Sequence, residues 1–268
     1  LQENKVSYAL IDKDAIFTAE GGQLTASGAQ VIGQIVPYLG KYGISKNPES
    51  FAVKGNRKYF SDKSRGAILR LSRDGITEIS QAGMKDYFKD TLKKSTSVIG
   101  MYDDHNDEYV VSLQGAEIGL LSNGGYDGYQ TLSFDERVKG WTSFYKFKPD
   151  FGFTVNKNFI TINSGDLWKH NQDYSITTPK NTFYNEFAES FITFVANTQP
   201  SVEKTFHTIN YEGDSGWEMK SSVTDLGMSA KAVLPSSTTV ASGVIPVSFV
   251  KKENKYYSHL RNNADTTA

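Results

Sequence analysis

The 268-residue sequence predicts an all-β fold: β-propeller-like antiparallel sheets forming an incomplete ring, followed by a smaller β region. Three observations lead there. The run Phe51 to Ser80, FAVKGNRKYFSDKSRGAILRLSRDGITEIS, reads as four short strands separated by Gly55-Asn56, Arg65-Gly66 and Asp74-Gly75, as one four-stranded propeller blade would. Strand clusters then recur about every 45 to 50 residues, within the range of blade repeats. The chain also carries 15 Tyr and 16 Phe, residues that suit a half-buried pleated surface. The same run fits a plain meander in a β-sandwich, and three clusters fall short of the four blades with which propellers usually close.

Taken in order, residues 1–49 mix Gly, Ser, Thr and Gln around one apolar stretch, Val31 to Pro37, and end at Asn47-Pro48. Glycine and proline punctuate this part too densely for a long helix, so it reads as a lead-in strand and linker. Residues 50–180 form the propeller-like region. Within the first blade, Asp-Gly is a strong hairpin signal because glycine reaches positive φ without steric cost. Next, Met84, Tyr87, Phe88 and Leu92 lie at helical spacing in GMKDYFKDTLKK, an amphipathic helix with its aromatic face on the sheet.

A second cluster follows at Ser97 to Tyr102, Glu108 to Leu113, Tyr129 to Phe134 and Gly140 to Phe147. The third runs through Phe151 to Val155 and Asn158 to Asn163, then turns at Ser164-Gly165-Asp166 into Leu167 to His170. Residues 181–268 form the smaller C-terminal β region. Phe187 to Ala196 and Lys204 to Tyr211 read as two longer strands, Ser221 to Gly243 as a mobile Ser/Thr/Ala-rich loop, and Val244 to Val250 with Lys255 to Leu260 as a final hairpin.

The 29 basic and 30 acidic residues nearly cancel, so no global field draws the chain to nucleic acid or an anionic membrane. With no cysteine, there are no disulfides, thiolate metal sites or cysteine nucleophiles. No apolar run reaches the roughly 20 residues that span a bilayer, and no membrane insertion is expected. The chain opens at Leu1 with no visible export signal and ends in RNNADTTA, as a processed, trimmed or cut polypeptide would.

Tests for chemistry return little. Gly213-Asp214-Ser215-Gly216 resembles the nucleophile segment of chymotrypsin-like proteases, but Trp217 replaces the following glycine and His105 lies among acids in DDHNDE. Ser201-Val202-Glu203-Lys204 matches S-x-x-K without the accompanying S-D-N or K-T-G. Asp103 to Glu108 is dense in oxygen ligands, yet the EF-hand positions six and twelve hold Glu108 and Gln114; a solvated hairpin tip is expected. His105, His170, His207 and His259 have no metal-binding spacing. Asp135 and Glu136 are adjacent and would point to opposite faces of a strand, a poor pair for glycoside hydrolysis, and a turn is expected there. No cofactor is expected. The aromatic residues that could stack on a sugar are Trp141, Trp168 and Trp217, although strand aromatics mostly bury against a neighbouring sheet.

LSFDERVKGWTSFYKFKPDF with NKNFITINSGDLWKHN, and NPESFAVKGNRKYFSDKSRGAILRLSRDGITEIS with GMKDYFKD, resemble a recurrent pattern in large structural proteins of tailed bacteriophages. The resemblance runs from Asn47 to His170 and weakly over Ile192 to Gly213. It implies a non-enzymatic virion protein of the tail or baseplate, made in the host cytoplasm and packed against other virion proteins in a symmetric multi-copy assembly. It brings no catalytic residue. The alternative is a receptor- or glycan-binding module of a phage tail; a glycan depolymerase lacks a credible acid pair.

Overall fold

The computed structural model describes residues 1–17, 23–120, 125–172, 180–219, 222–223, 229–230 and 249–259. Two compact units divide the chain, Leu1–Phe191 and Ile192–Ala268. The first opens with β1 (Ser7–Phe17) and β2 (Gln23–Pro37), an antiparallel ribbon in register from Ser7↔Pro37 to Phe17↔Gln23 with irregularities on either side of Ile11. The lead-in expected over residues 1–49 is therefore largely a hairpin. A two-stranded ribbon needs no buried face, so its sequence lacks the alternation that announces a strand.

The first blade-like run forms β3 (Ala52–Lys54), β4 (Arg57–Asp62), β5 (Ala67–Ser72) and β6 (Gly75–Glu78), paired in that order. The turns fall where the sequence places them, with Gly55, Gly66 and Gly75 at positive φ. Helix α1 (Lys85–Lys94) buries Phe88 and Leu92, the face its spacing predicts.

A second meander comprises β7 (Ser97–Asp103), β8 (Glu108–Gln114), β9 (Tyr129–Asp135) and β10 (Gly140–Tyr145), again paired in chain order. The third has three strands: β11 (Phe151–Val155), β12 (Asn158–Asn163) and β13 (Asp166–Lys169). A small hairpin, β14 (Thr182–Phe183) with β15 (Glu186–Phe187), ends the unit. Its turn, Tyr184-Asn185, and the β11–β12 turn, Asn156-Lys157, hold both central residues at positive φ, as a type I′ connection requires.

Side-chain alternation stacks these sheets as layers. From β8, Tyr109, Val111 and Leu113 join Tyr59, Ile68, Phe88 and Leu92 in one core, whereas Val110 joins Ile99, Met101, Phe147 and Phe159 in another. The second meander is thus covered on both faces, which explains why β7 and β8 are buried almost without alternation. The outer face of the first meander carries Phe60, Ala67 and Leu69 under Val6, Tyr38, Tyr42 and Ile44. Gly100 permits one close approach: a Cβ there would overlap the Ser50 carbonyl, so backbone 48–50 lies directly on β7.

In the second unit, β16 (Thr208–Glu212), β17 (Ser222–Val223), β18 (Ser229–Ala230), β19 (Val250–Lys252) and β20 (Lys255–His259) follow. The sheet order is β16-β20-β19, and β17 pairs with β18. The final hairpin turns at Glu253-Asn254; its expected portion at 244–248 and most of the Ser221 to Gly243 loop lie outside the described residues. The two longer strands expected at Phe187 to Ala196 and Lys204 to Tyr211 are corrected. Only Glu186–Phe187 and Thr208–Glu212 pair, and residues 188–198 between them join no strand. Their composition suits a strand, but strand formation needs a partner as well as propensity. The described sheets are all antiparallel, and no ring or barrel closes among the described residues.

Candidate functional site

The buried polar groups tie the layers together. Tyr59 stacks between Tyr109 and Tyr102, with ring centroids 4.8 and 5.6 Å away. Its hydroxyl donates to Glu136 Oε1 at 2.7 Å, and Arg70 Nη1 donates to Glu136 Oε2 at 3.0 Å. Glu136 begins the β9–β10 turn, so this carboxylate links the first meander to the second. Burial, then the bond to Glu136, pushes the Tyr59 phenol well above its ordinary range. Tyr109 donates to the Ser50 carbonyl at 2.9 Å. Adjacent Asp135 does something different: Arg137 holds its carboxyl below the usual carboxylate range. Glu136 is thus held by Tyr59 and Arg70, and Asp135 by Arg137.

Asp103 to Glu108 spans the β7–β8 hairpin tip, with His105 exposed, but the strand-end acids do not share that exposure. Asp103 and Glu108 are buried. Asp103 accepts from the His105 amide at 2.8 Å and from Asn106 Nδ2 and Asn171 Nδ2 at 2.9 Å each, while Lys54 reaches Asp104 at 2.7 Å. Partners remote in sequence draw the acids inwards. Among the described residues no three His, Asp or Glu side chains gather as a metal site. His170 packs between Phe147 and Phe159 and shares a 2.7 Å hydrogen bond with Thr161 Oγ1; burial lowers it to about 4, so it stays neutral. Ser215 stands on an exposed bend after β16.

The three tryptophans differ. Trp141 packs against Phe88 and Phe134 and donates from Nε1 to the Ile79 carbonyl at 3.1 Å, a core position. Trp168 leans on Tyr184, its buried indole N–H without an acceptor among the described residues. Trp217, at 39% exposure, is the most open of them. A shallow cleft of about 340 Å³ lies beside α1, lined by Tyr87, Asp90, Lys94, Glu117, Leu120 and Tyr126 among others.

What the sequence did not signal are unpartnered apolar surfaces. On the ribbon, Ile11 faces Ile32 and Ala9 faces Ile35 across the ladder, so one face gathers three isoleucines that are 62–67% exposed. Further along, Phe191, Ile192, Phe194 and Val195 are 67–88% exposed, and the backbone of 191–196 bonds to no described residue. Large apolar groups outside any core mark contact surfaces. β13 is an edge strand of its sheet among the described residues. Among the described residues no helix is long and apolar enough to cross a membrane.

A family model described as Crassvirus muzzle protein matches residues 11–165, more than half of the chain. The chain belongs to the crassvirus muzzle protein family. A second model, Crassvirus muzzle protein C-terminal domain, matches residues 178–263. The muzzle protein of Bacteroides phage crAss001 is 22% identical over 201 residues, which are 73% of this chain and 13% of that protein. The chain therefore spans only a small part of its curated muzzle relative's length. Membership makes it a phage structural protein, the broad part of what the sequence resemblance implied. The family descriptions name neither tail, baseplate nor propeller.

Proposed function

We propose that this muzzle-family chain is a non-enzymatic virion component of the tail or baseplate that acts by packing against other virion proteins in a symmetric multi-copy assembly. The observation that carries this reading is the apolar, unpaired chain at Phe191 to Val195, beside open sheet edges. A neighbouring subunit packed on such groups takes them out of water. The three stacked meanders act as propeller-like blades of an incomplete ring within residues 50–180, with 1–49 as a lead-in and 181–268 as a separate C-terminal β region. Immunogold electron microscopy of intact and partly disrupted particles, with antibodies against this chain, tests the proposal. Label on the tail body or baseplate supports it. Label at fibre tips alone favours a receptor- or glycan-binding module, for which Trp217 is the first residue to replace, and no label on disrupted particles removes the virion reading.

A further inference from the structure

We propose that Phe191–Val195 of one copy adds as a fourth strand to the open β13 edge of a second copy of this chain. The idea deepens the assembly reading and rests on it. One chain carries both halves of the contact. Among the described residues the first two meanders have four strands and the third has three, with β11 and β13 at its edges; since the first two meanders pair in chain order, a fourth strand continuing that order falls beside β13. The β12–β13 turn is the two-residue Ser164-Gly165, closing on Asn163↔Asp166. In such a ladder Asp166 and Trp168 exchange hydrogen bonds with β12, and the peptide groups of Leu167 and Lys169 face outwards.

Side chains match as well. Phe151, Ile162 and Leu167 stand in one row across the sheet, with Phe151 and Leu167 exposed. On the opposite face, Gly152, Thr161 and Trp168 form a second row that reaches Tyr184. A strand added at β13 extends both rows, and Phe191-Ile192-Thr193-Phe194-Val195 has apolar residues on both faces to do so. Among the described residues Phe191–Val195 belongs to no strand. A donor strand and an acceptor edge at different places on one chain make a head-to-tail contact, which repeats around a ring or along a filament.

The absence of cysteine makes the test clean. Lys169→Cys and Thr193→Cys are introduced in separate 268-residue chains distinguished by a size tag, mixed, and oxidised. The expected result is a disulfide between tagged and untagged chains, about tenfold more abundant than with a Val138→Cys control on the exposed β9–β10 turn. Adding Ile192→Pro to the Thr193→Cys chain removes it while circular dichroism stays unchanged. In light scattering, the wild-type mass rises with concentration and that of Phe194→Glu does not. Three outcomes overturn the proposal: cross-linking no greater than the control; ring closure within a Lys169→Cys/Thr193→Cys chain but none between mixed chains; or a monomer at every concentration. Immunogold labelling separates the two readings, because labelled particles without the cross-link keep the virion role and remove the strand exchange.

Discussion

Replacing Glu136 by alanine is expected to destabilise the first unit by about 3 kcal/mol. Glu136 and Arg70 have side chains only 6% and 17% exposed, with the charged atoms 3.0 Å apart, so the weak rule for surface ion pairs does not apply. Removing one partner of a buried pair leaves the other charge uncompensated, at about 3–5 kcal/mol. Arg70 retains Asp74, whose side chain is 66% exposed at 3.1 Å, which places the figure at the lower end. The Tyr59 hydroxyl also loses its acceptor, a loss of about 1–3 kcal/mol that overlaps the first. Glu136→Gln, which keeps shape and an acceptor, should cost about 1–2 kcal/mol, and Tyr59→Phe a similar amount. Urea unfolding followed by tryptophan fluorescence is a suitable assay because Trp141 sits in the same core. A coupling energy from the Glu136→Gln and Tyr59→Phe cycle should be positive and near 1 kcal/mol. If Glu136→Ala unfolds within about 0.5 kcal/mol of wild type, as surface substitutions do, the carboxylate does not hold the two meanders together and the reasoning fails.

Acid should weaken the third meander through His170. Its folded value of about 4 lies below the ordinary 6.5 because of burial, so the stabilisation is full above pH 6.5 and is lost as pH falls towards 4; His170→Gln should flatten that part of a stability-against-pH curve. Alkali should act through buried tyrosines: Tyr87, Tyr145 and Tyr184 are pushed up to about 12, chiefly by burial. Stability is full below pH 10 and falls as pH rises through about 12, and a spectrophotometric titration should show this set ionising with unfolding, after the exposed tyrosines. Gly100→Ala should cost about 1–3 kcal/mol by overpacking, since the new methyl meets the Ser50 backbone carbonyl and the Tyr109 hydroxyl; a thermal melt equal to wild type would count against that approach.

The turns and strands of the first meander were readable because each boundary carries a glycine whose positive φ is local chemistry. So was α1, whose Phe88 and Leu92 recur at helical spacing. The order of packing was not readable. That β8 sends Tyr109 to one core and Val110 to another depends on what lies above and below the sheet, and both faces of such a strand look alike in sequence. Asp103 read as part of a solvated tip, and no role was legible for Glu136, because Asn171 and Arg70, which bond them, are distant along the chain. Phe187 to Ala196 failed in the opposite way. Its residues favour a strand, but pairing is a property of neighbours, and none joins the backbone of 191–196 among the described residues.

That last failure carries functional weight. In catalytic sites, strongly shifted titratable groups converge on a cleft. Here the shifted groups have packing explanations: the tyrosines and His170 are held neutral inside cores, and Asp135 is tied to Arg137. The polar network spans Tyr59, Glu136 and Arg70 to fix one sheet on the next, so the internal layers keep their relative positions without help. Ile11, Ile32 and Ile35 of the ribbon and the Phe191 to Val195 segment join none of the cores among the described residues. An isolated two-stranded ribbon is marginal in water, and an apolar segment without a ladder gives up both burial and backbone pairing. On the proposed assembly reading, contact between subunits covers these apolar groups, and the exchange of Phe191 to Val195 into a neighbouring β13 edge would supply burial and backbone pairing in one step.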